Sequence, residues 1–216
     1  MNFSALIGSP VGHSVGQDIY NRIFRKYGID SQYLAIEVHR NNLPGFFDLA
    51  REVMAGFNIT APYKEVSLKF IDHVDDIVSA TGSVNLVKNE GGKLYGYNSD
   101  YDGFLMLARK NNIDFSGKKV IIMGSGGAAR TITYAIIRNY NSDISIVSRK
   151  PGKKSIAGIN TVGFFDLARE VMAGFNITAP YKEVSLKFID HVDAKFFQRI
   201  CYGLQNNRCC FLYFLY

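Results

Sequence analysis

One stretch of this chain, GFFDLAREVMAGFNITAPYKEVSLKFIDHVD, occurs twice without a single substitution, from Gly45 to Asp75 and again from Gly163 to Asp193. Repeats that stack into a solenoid drift apart, because each copy packs against different neighbours. Perfect identity with abrupt edges therefore marks a recent duplication or an assembly error, not a repeat architecture. After the second copy, AKFFQRICYGLQNNRCCFLYFLY is rich in Cys, Tyr and Phe and has no turn chemistry or clean period. Out-of-frame translation explains that shift most simply, with a docked apolar element as the alternative. The chain accordingly divides into 1–102, 103–162, the copy 163–193 and an anomalous tail 194–216, and the first two parts carry the information.

Hydrophobic residues are 47% and charged residues 20% of the chain, the balance of a globular protein with a real core. Apolar runs fall far short of the ~18 residues that suggest a membrane span, and no basic leader precedes Phe3. A cytoplasmic protein is expected, with no membrane partner. The net charge of +6 comes from scattered basic residues, not a stripe, so nucleic acid is not the expected partner. Cys201, Cys209 and Cys210 all lie in the tail with no interleaved histidine, which predicts neither a disulfide framework nor a metal site.

Along the informative part, strand and helix patterns alternate. Phe3 to Ile7 reads as a strand, followed by a turn-rich loop and a helix over 15–27 marked by Ile19, Tyr20, Ile23 and Phe24. Tyr33–Val38 reads as a strand, Leu43–Met54 as a helix and Phe57–Thr60 as a strand end. Pro62 is then placed at the favoured first position of a further helix. A hairpin is predicted over 83–97, turning at Gly91-Gly92, and a helix from Ser99 to about Asn111. Val120–Met123, a glycine turn, a helix Ala128–Asn139 and Ile144–Val147 form one βαβ unit. The expected class is α/β: a small N-terminal α/β substrate domain followed by a truncated Rossmann-type domain, with largely parallel sheets.

Gly124-Ser125-Gly126-Gly127-Ala128-Ala129 fits G-x-G-x-x-A after a strand and at the opening of a helix. The first glycine permits a tight turn, the second lets backbone approach a pyrophosphate, and a small third residue lets helix and sheet pack closely. The helix start offers free N–H groups and a positive dipole end to phosphate. A bare glycine-rich turn is the plainer alternative. About 20 residues on, where an NAD site carries an acidic residue, the strand ends in Ser148-Arg149-Lys150 with no carboxylate. Arginine suits a 2′-phosphate, so NADP is the favoured cofactor over a merely solvated basic loop.

Two residues stand out as a reacting pair. Lys64 falls near the third position of the helix opened by Pro62, where the macrodipole disfavours the ammonium form and suits a proton-transfer group. An exposed, solvated lysine is the alternative. Asp100 lies at the next helix start, where a cap is the usual role. Ser99 with Asp102 can form a capping-box-like pair, however, which leaves Asp100 free to point elsewhere.

These residues together resemble the shikimate dehydrogenase family. The motifs are Gly8-Ser9-Pro10-Val11-Gly12-His13-Ser14, Gly56 to Lys64, Gly82-Ser83-Val84-Asn85, Tyr97-Asn98-Ser99-Asp100 and the Gly124 turn, in the family's order and spacing over residues 1 to about 150. The resemblance implies reversible hydride transfer between NADP(H) and the C3 position of shikimate or 3-dehydroshikimate, a step toward chorismate and the aromatic amino acids. It implies Lys64 as catalytic acid/base and Asp100 as its partner, with Ser14, Thr60 and Asn85 holding substrate. Gly124, Ser125, Gly126, Gly127 and Ala128 would cradle the pyrophosphate, Ser148, Arg149 and Lys150 would surround the 2′-phosphate, and Asp76 matches a position near the cofactor. A homodimer stays open as an assembly.

The chain also departs from the family. Gly16 stands where a second serine is usual, Gln17 where proline is common, and Ser99 replaces threonine. Ile159 to Gly163 is similar to a shortened version of the family's nicotinamide-side loop, and the later glycine loop and C-terminal glutamine have no counterpart. Low or no activity is therefore expected of this chain. The alternatives are an inactive truncated relative with an open sheet edge that the duplicate could patch, an NADP-binding sensor without chemistry, or an NAD-linked quinate/shikimate enzyme, against which Arg149 argues.

Overall fold

The computed structural model describes residues 2–12, 14–148, 151–152, 155–163 and 166, together with the backbone of 209–213. The duplicate and most of the tail fall outside these residues. So do Arg149 and Lys150.

The first sheet begins with β1 (Asn2–Gly8), which is followed by α1 (Gly16–Lys26) and β2 (Ser31–Glu37). A 3₁₀ turn at Arg40–Asn42 leads into α2 (Leu43–Val53), which passes directly into β3 (Met54–Ile59). Then come a 3₁₀ segment Val66–Phe70, β4 (His73–Val74), α3 (Asp76–Thr81), β5 (Leu86–Glu90) and β6 (Lys93–Tyr97). The order across the sheet is β2-β1-β3-β5-β6-β4. β1 runs parallel to both β2 and β3, but β5 lies antiparallel to β3 and to β6. With β4 parallel to β6 as well, three of the five pairings are parallel, as expected of a largely parallel sheet, and the predicted β5–β6 hairpin supplies the antiparallel part. Gly91 (φ 59°) and Gly92 (φ 85°) supply the two positive-φ positions of that two-residue turn.

Three phenylalanines organise this core. Phe46 and Phe47 of α2 meet Phe57 of β3 edge-on, with ring centres 5.2 and 5.5 Å apart. Ala5, Ile7, Ile59, Val84, Val87 and Leu94 close around them, all essentially buried. Asn89 finishes the end of α2 by donating to the carbonyls of Ala50, Arg51 and Met54, where the helix passes into β3. By contrast α1, although amphipathic, buries no residue fully.

From β6 the chain enters α4 (Ser99–Lys110) and then the second sheet: β7 (Lys119–Met123), α5 (Gly127–Asn139), β8 (Asp143–Val147), β9 (Ser155–Ile156) and β10 (Ile159–Val162). β7, β8 and β10 are parallel, β9 is antiparallel to β10, and Ile132 and Ile136 of α5 pack with Phe115 and with Val120, Ile122 and Ile146 of the sheet. The last strand, β11 (Cys209–Tyr213), runs parallel to β7 on its other side, giving the order β11-β7-β8-β10-β9. The tail thus covers the edge that the sequence left open, in the place expected for the duplicate. Ile159–Val162, read as a loop, is a strand because Thr161 and Val162 pair with Ile146 and Val147.

Candidate active site

One helix prediction and one cap prediction near the site are corrected by the structure, while the helix predicted from Ser99 is present. The Ala61–Pro62 peptide is cis, and Tyr63 N donates to Thr60 O across it, so the segment turns instead of opening a helix at Pro62. Short-range bonds follow (Leu68 N to Glu65 O, Ile71 N to Leu68 O), and the helix that would have set a dipole field on Lys64 is not there. At α4 the N-cap is Asn98, whose Oδ1 accepts from Asp100 N at 3.2 Å. Ser99 is the first helical residue, so the Ser99–Asp102 capping pair does not form. Asn98 wins because its backbone is still extended (φ −128°, ψ 90°), as a cap requires.

Lys64 and Asp100 nonetheless meet. Lys64 Nζ donates to Asp100 Oδ2 at 2.5 Å, with the lysine side chain 14% and the aspartate 33% exposed. The other carboxylate oxygen, Oδ1, accepts from Asn85 Nδ2 at 2.7 Å. Asn85 is itself fixed: its Oδ1 accepts from Ser99 N at 2.8 Å, its N donates to Tyr97 O, and its carbonyl accepts from Ile59 N. Both oxygens of Asp100 are thus aimed by cationic or amide donors, and the pair opens to solvent on the carboxylate side.

The predicted substrate residues Thr60 and Ser14 lie at the C-terminal end of the parallel strands. Thr60 N donates to Ile7 O, and the Thr60 methyl occupies the space a side chain at Gly8 would need. Ser14 Oγ accepts from Gly16 N at 3.2 Å, closing the turn that starts α1. Behind them runs a line that sequence reasoning missed. Tyr33 OH donates to Asn58 Oδ1 at 2.7 Å, and Asn58 Nδ2 donates to the Asn85 carbonyl at 3.2 Å. Burial, with a smaller push from Tyr20, raises the Tyr33 phenol well above its ordinary value, so it remains a donor into strongly alkaline solution. Tyr33 and Asn58 read as ordinary strand residues in sequence; only the alternation placing a polar side chain inside β3 hinted at a role.

The glycine turn joins this site from the second sheet. Gly124 has φ 127°, which a side chain rarely adopts, and its N donates to Val147 O. Gly126 caps α5 with no side-chain bond to the free N–H groups, and its Cα faces open space. Gly127 is the opposite case: a Cβ there would fall on Ser83 Oγ and lie 3.3 Å from Lys64 Cβ. Uncapped N–H groups, an open Gly126 and a half-buried Ala128 form a cradle of the kind a pyrophosphate fits. Ser125 Oγ and Ser148 Oγ are 3.1 Å apart, so the turn and the end of β8 share one edge. Arg149 and Lys150 lie outside the described residues. Asp76 sits exposed in the first turn of α3, and no hydrogen bond or ion pair among the described residues joins it to this cluster.

Arg130, also missed, bridges the two sheets: its guanidinium donates to Gly82 O at 3.0 Å and pairs with Glu65 at 2.9 Å. Among the described residues there is no cluster of three or more metal-ligating side chains and no helix long and apolar enough to cross a membrane.

The class these features define is α/β, an N-terminal substrate-binding unit followed by a Rossmann-like sheet. The family model for the shikimate dehydrogenase substrate binding domain matches residues 6–87. The shikimate dehydrogenase (NADP(+)) of Thermoplasma acidophilum is 42% identical over 144 residues, covering 67% of this chain and 53% of the relative. Among solved structures, a chorismate mutase/shikimate 5-dehydrogenase fusion protein from Clostridium acetobutylicum superposes with a TM-score of 0.70 at 30% identity, over 78% of this chain and 64% of that one. The shikimate 5-dehydrogenase of Thermus thermophilus, in complex with NADP(H) and shikimate, gives 0.69 at 28% identity, over 79% and 66%. Through its first two-thirds the chain belongs to the shikimate dehydrogenase family. It spans about half the length of the curated relatives it matches.

Proposed function

We propose that this chain is an NADP-dependent shikimate dehydrogenase, interconverting 3-dehydroshikimate and shikimate in the cytoplasm. The single observation that carries the reading is the Lys64–Asp100 pair held at 2.5 Å beside the start of the glycine-turn helix. NADP, when bound, supplies or accepts the hydride. In the direction of reduction Lys64 Nζ gives a proton to the carbonyl oxygen as it becomes a hydroxyl, and Asp100 accepts a hydrogen bond from the same group. Asn85 keeps Asp100 from rotating away. Ser14 and Thr60 stand where they can donate to the substrate's carboxylate and ring hydroxyls. Ser125 and the N–H groups of α5 would hold the pyrophosphate, and Ser148, Arg149 and Lys150 the 2′-phosphate, in keeping with the NADP(+) in the relatives' names.

A second reading is favoured by a β11 drawn from the tail, which pairs with β7 at the edge of the second sheet. On that reading the protein is a folded relative that binds NADP without turning shikimate over. Purified protein incubated with shikimate and NADP decides the matter by the rise of NADPH absorbance. Turnover that is lost in Lys64→Ala and Asp100→Asn supports the enzyme. Binding of NADP by calorimetry with no turnover supports the inactive relative, and turnover only with NAD would overturn the cofactor assignment.

A further inference from the structure

We infer that Asn98 and Thr131 form a latch that sets the position of the Lys64–Asp100 pair relative to the glycine-turn helix. Its kinetic consequence rests on the reading above; its geometry does not.

Asn98 is 4% exposed and uses its whole amide. Its Oδ1 takes the Asp100 N–H, while Nδ2 donates to Ser83 O at 2.8 Å and to Thr131 Oγ1 at 2.7 Å. Thr131 is fully buried, and its hydroxyl donates in turn to Gly127 O at 2.9 Å. One chain of bonds therefore runs from the backbone of the reacting carboxylate, through Asn98 and Thr131, to the first residue of α5. That residue is the one whose Cα abuts Ser83 and Lys64. The two short Nδ2 bonds go to Ser83 O and Thr131 Oγ1, with Thr81 Oγ1 more distant at 3.4 Å, and the Thr131 hydroxyl proton is committed to Gly127 O.

A second threonine shows what the first would be without this role. Thr133, also fully buried in α5, donates to Ala129 O at 2.8 Å and makes the same local back-bond. Such a bond within a helix contributes little on its own. Of the two, Thr131 alone adds a side-chain bond from another element among the described residues. Arg130, the neighbouring residue, pairs with Gly82 and Glu65 and ties the same turn of α5 to the segment beside Lys64.

A misplacement of about 1 Å between reacting groups can cost on the order of 10²-fold in rate, so Thr131 acts as a positioning residue. The test compares Thr131→Val, Thr131→Ser and Thr133→Val in the full chain. It measures kcat, KM for shikimate, and the backbone amide resonances of Asp100 and Gly127 by NMR. Thr131→Val is expected to lower kcat roughly 10- to 100-fold while KM for shikimate stays put, and to move the Asp100 amide. Thr131→Ser restores both, and Thr133→Val changes neither. Equal losses in the two valine variants, or no rescue by serine, would overturn the latch. Should the unaltered chain not turn shikimate over, the functional reading fails and the latch is decided by the resonances: an Asp100 shift in Thr131→Val that serine reverses supports it, and no shift overturns it. If Thr131→Val does not fold, Thr131→Cys, close in size and a weaker acceptor, is read by the same outcomes.

Discussion

In the first sheet the reacting groups are held by side chains that reach toward one another; in the second, the cofactor turn is held by side chains that are missing. Lys64, Asp100 and Asn85 each make a directed side-chain bond and Ser99 adds its backbone N–H, bonds of a kind worth about 1–3 kcal/mol each, the larger values where one partner is charged. The turn depends instead on bare Cα atoms: Gly124 for its φ, Gly126 for open space, Gly127 for contact with Ser83. A network of bonds loses function in steps as members are removed. A close approach without side chains fails at the first added methyl group. Mutations therefore read the two halves differently.

The largest effect is expected at the pair. Lys64→Ala should lower kcat by about 10³-fold while the folded circular dichroism spectrum is retained, because general acid–base groups contribute on that scale. Wild-type turnover in that variant would remove the lysine from the chemistry.

Next comes the contrast within the turn. Gly127→Ala forces a Cβ onto Ser83 and should cost about 1–3 kcal/mol in a urea melt. Gly126→Ala meets nothing within 4 Å and should change the melt by less than about 0.5 kcal/mol while weakening NADP binding. If both alanines destabilise equally, the distinction between packing glycine and cradle glycine is lost. Ser83→Gly added to Gly127→Ala should recover much of the lost stability.

A smaller effect concerns the ion pair under the hairpin. Hydrogen bonding from Arg51, then from Leu94 N, holds the Asp72 carboxyl below its ordinary value of 3.8. A depressed carboxyl stabilises the fold above that value, and the benefit is lost as pH falls through the lower, folded-state value. Arg51→Ala should therefore destabilise the protein at neutral pH and by less in acid, once Asp72 is protonated in both proteins and only the Arg51 bonds to Gly92 O and Phe70 O are lost. Both side chains are about a third exposed, so the difference should stay near 1 kcal/mol or less. Parallel pH–stability curves would show that the pair does not couple to folding.

The smallest effect is expected at Ser83, whose buried hydroxyl has no hydrogen-bond partner among the described residues. Ser83→Ala removes that unpaired group and should be neutral or stabilising by about 1 kcal/mol in the same melt. A clear loss would mean that the hydroxyl finds a partner.

Much of this was legible before any coordinates. Alternating apolar periods marked the βα units, Gly91-Gly92 marked the hairpin, and a glycine cluster between a strand and a helix marked the turn. Each signal is local, arising within a turn or a strand where backbone preference and one buried face decide the outcome. The failures were at shared boundaries. Pro62 suits the start of a helix, but also a turn through a cis bond; Ser99 and Asn98 both suit a cap, and the extended backbone at Asn98 chose between them.

By itself the sequence determined the order of the elements, the glycine turn and the identities of the lysine and aspartate. Only the tertiary structure decided that Asn98 reaches Thr131 across 33 residues, that Arg130 reaches Gly82 across 48, that Tyr33 and Asn58 stand behind Asn85, and that the tail strand lies beside β7. The reason is physical: a propensity acts over a few residues, whereas the partner of a buried polar group is whatever the packing of distant elements brings within about 3 Å.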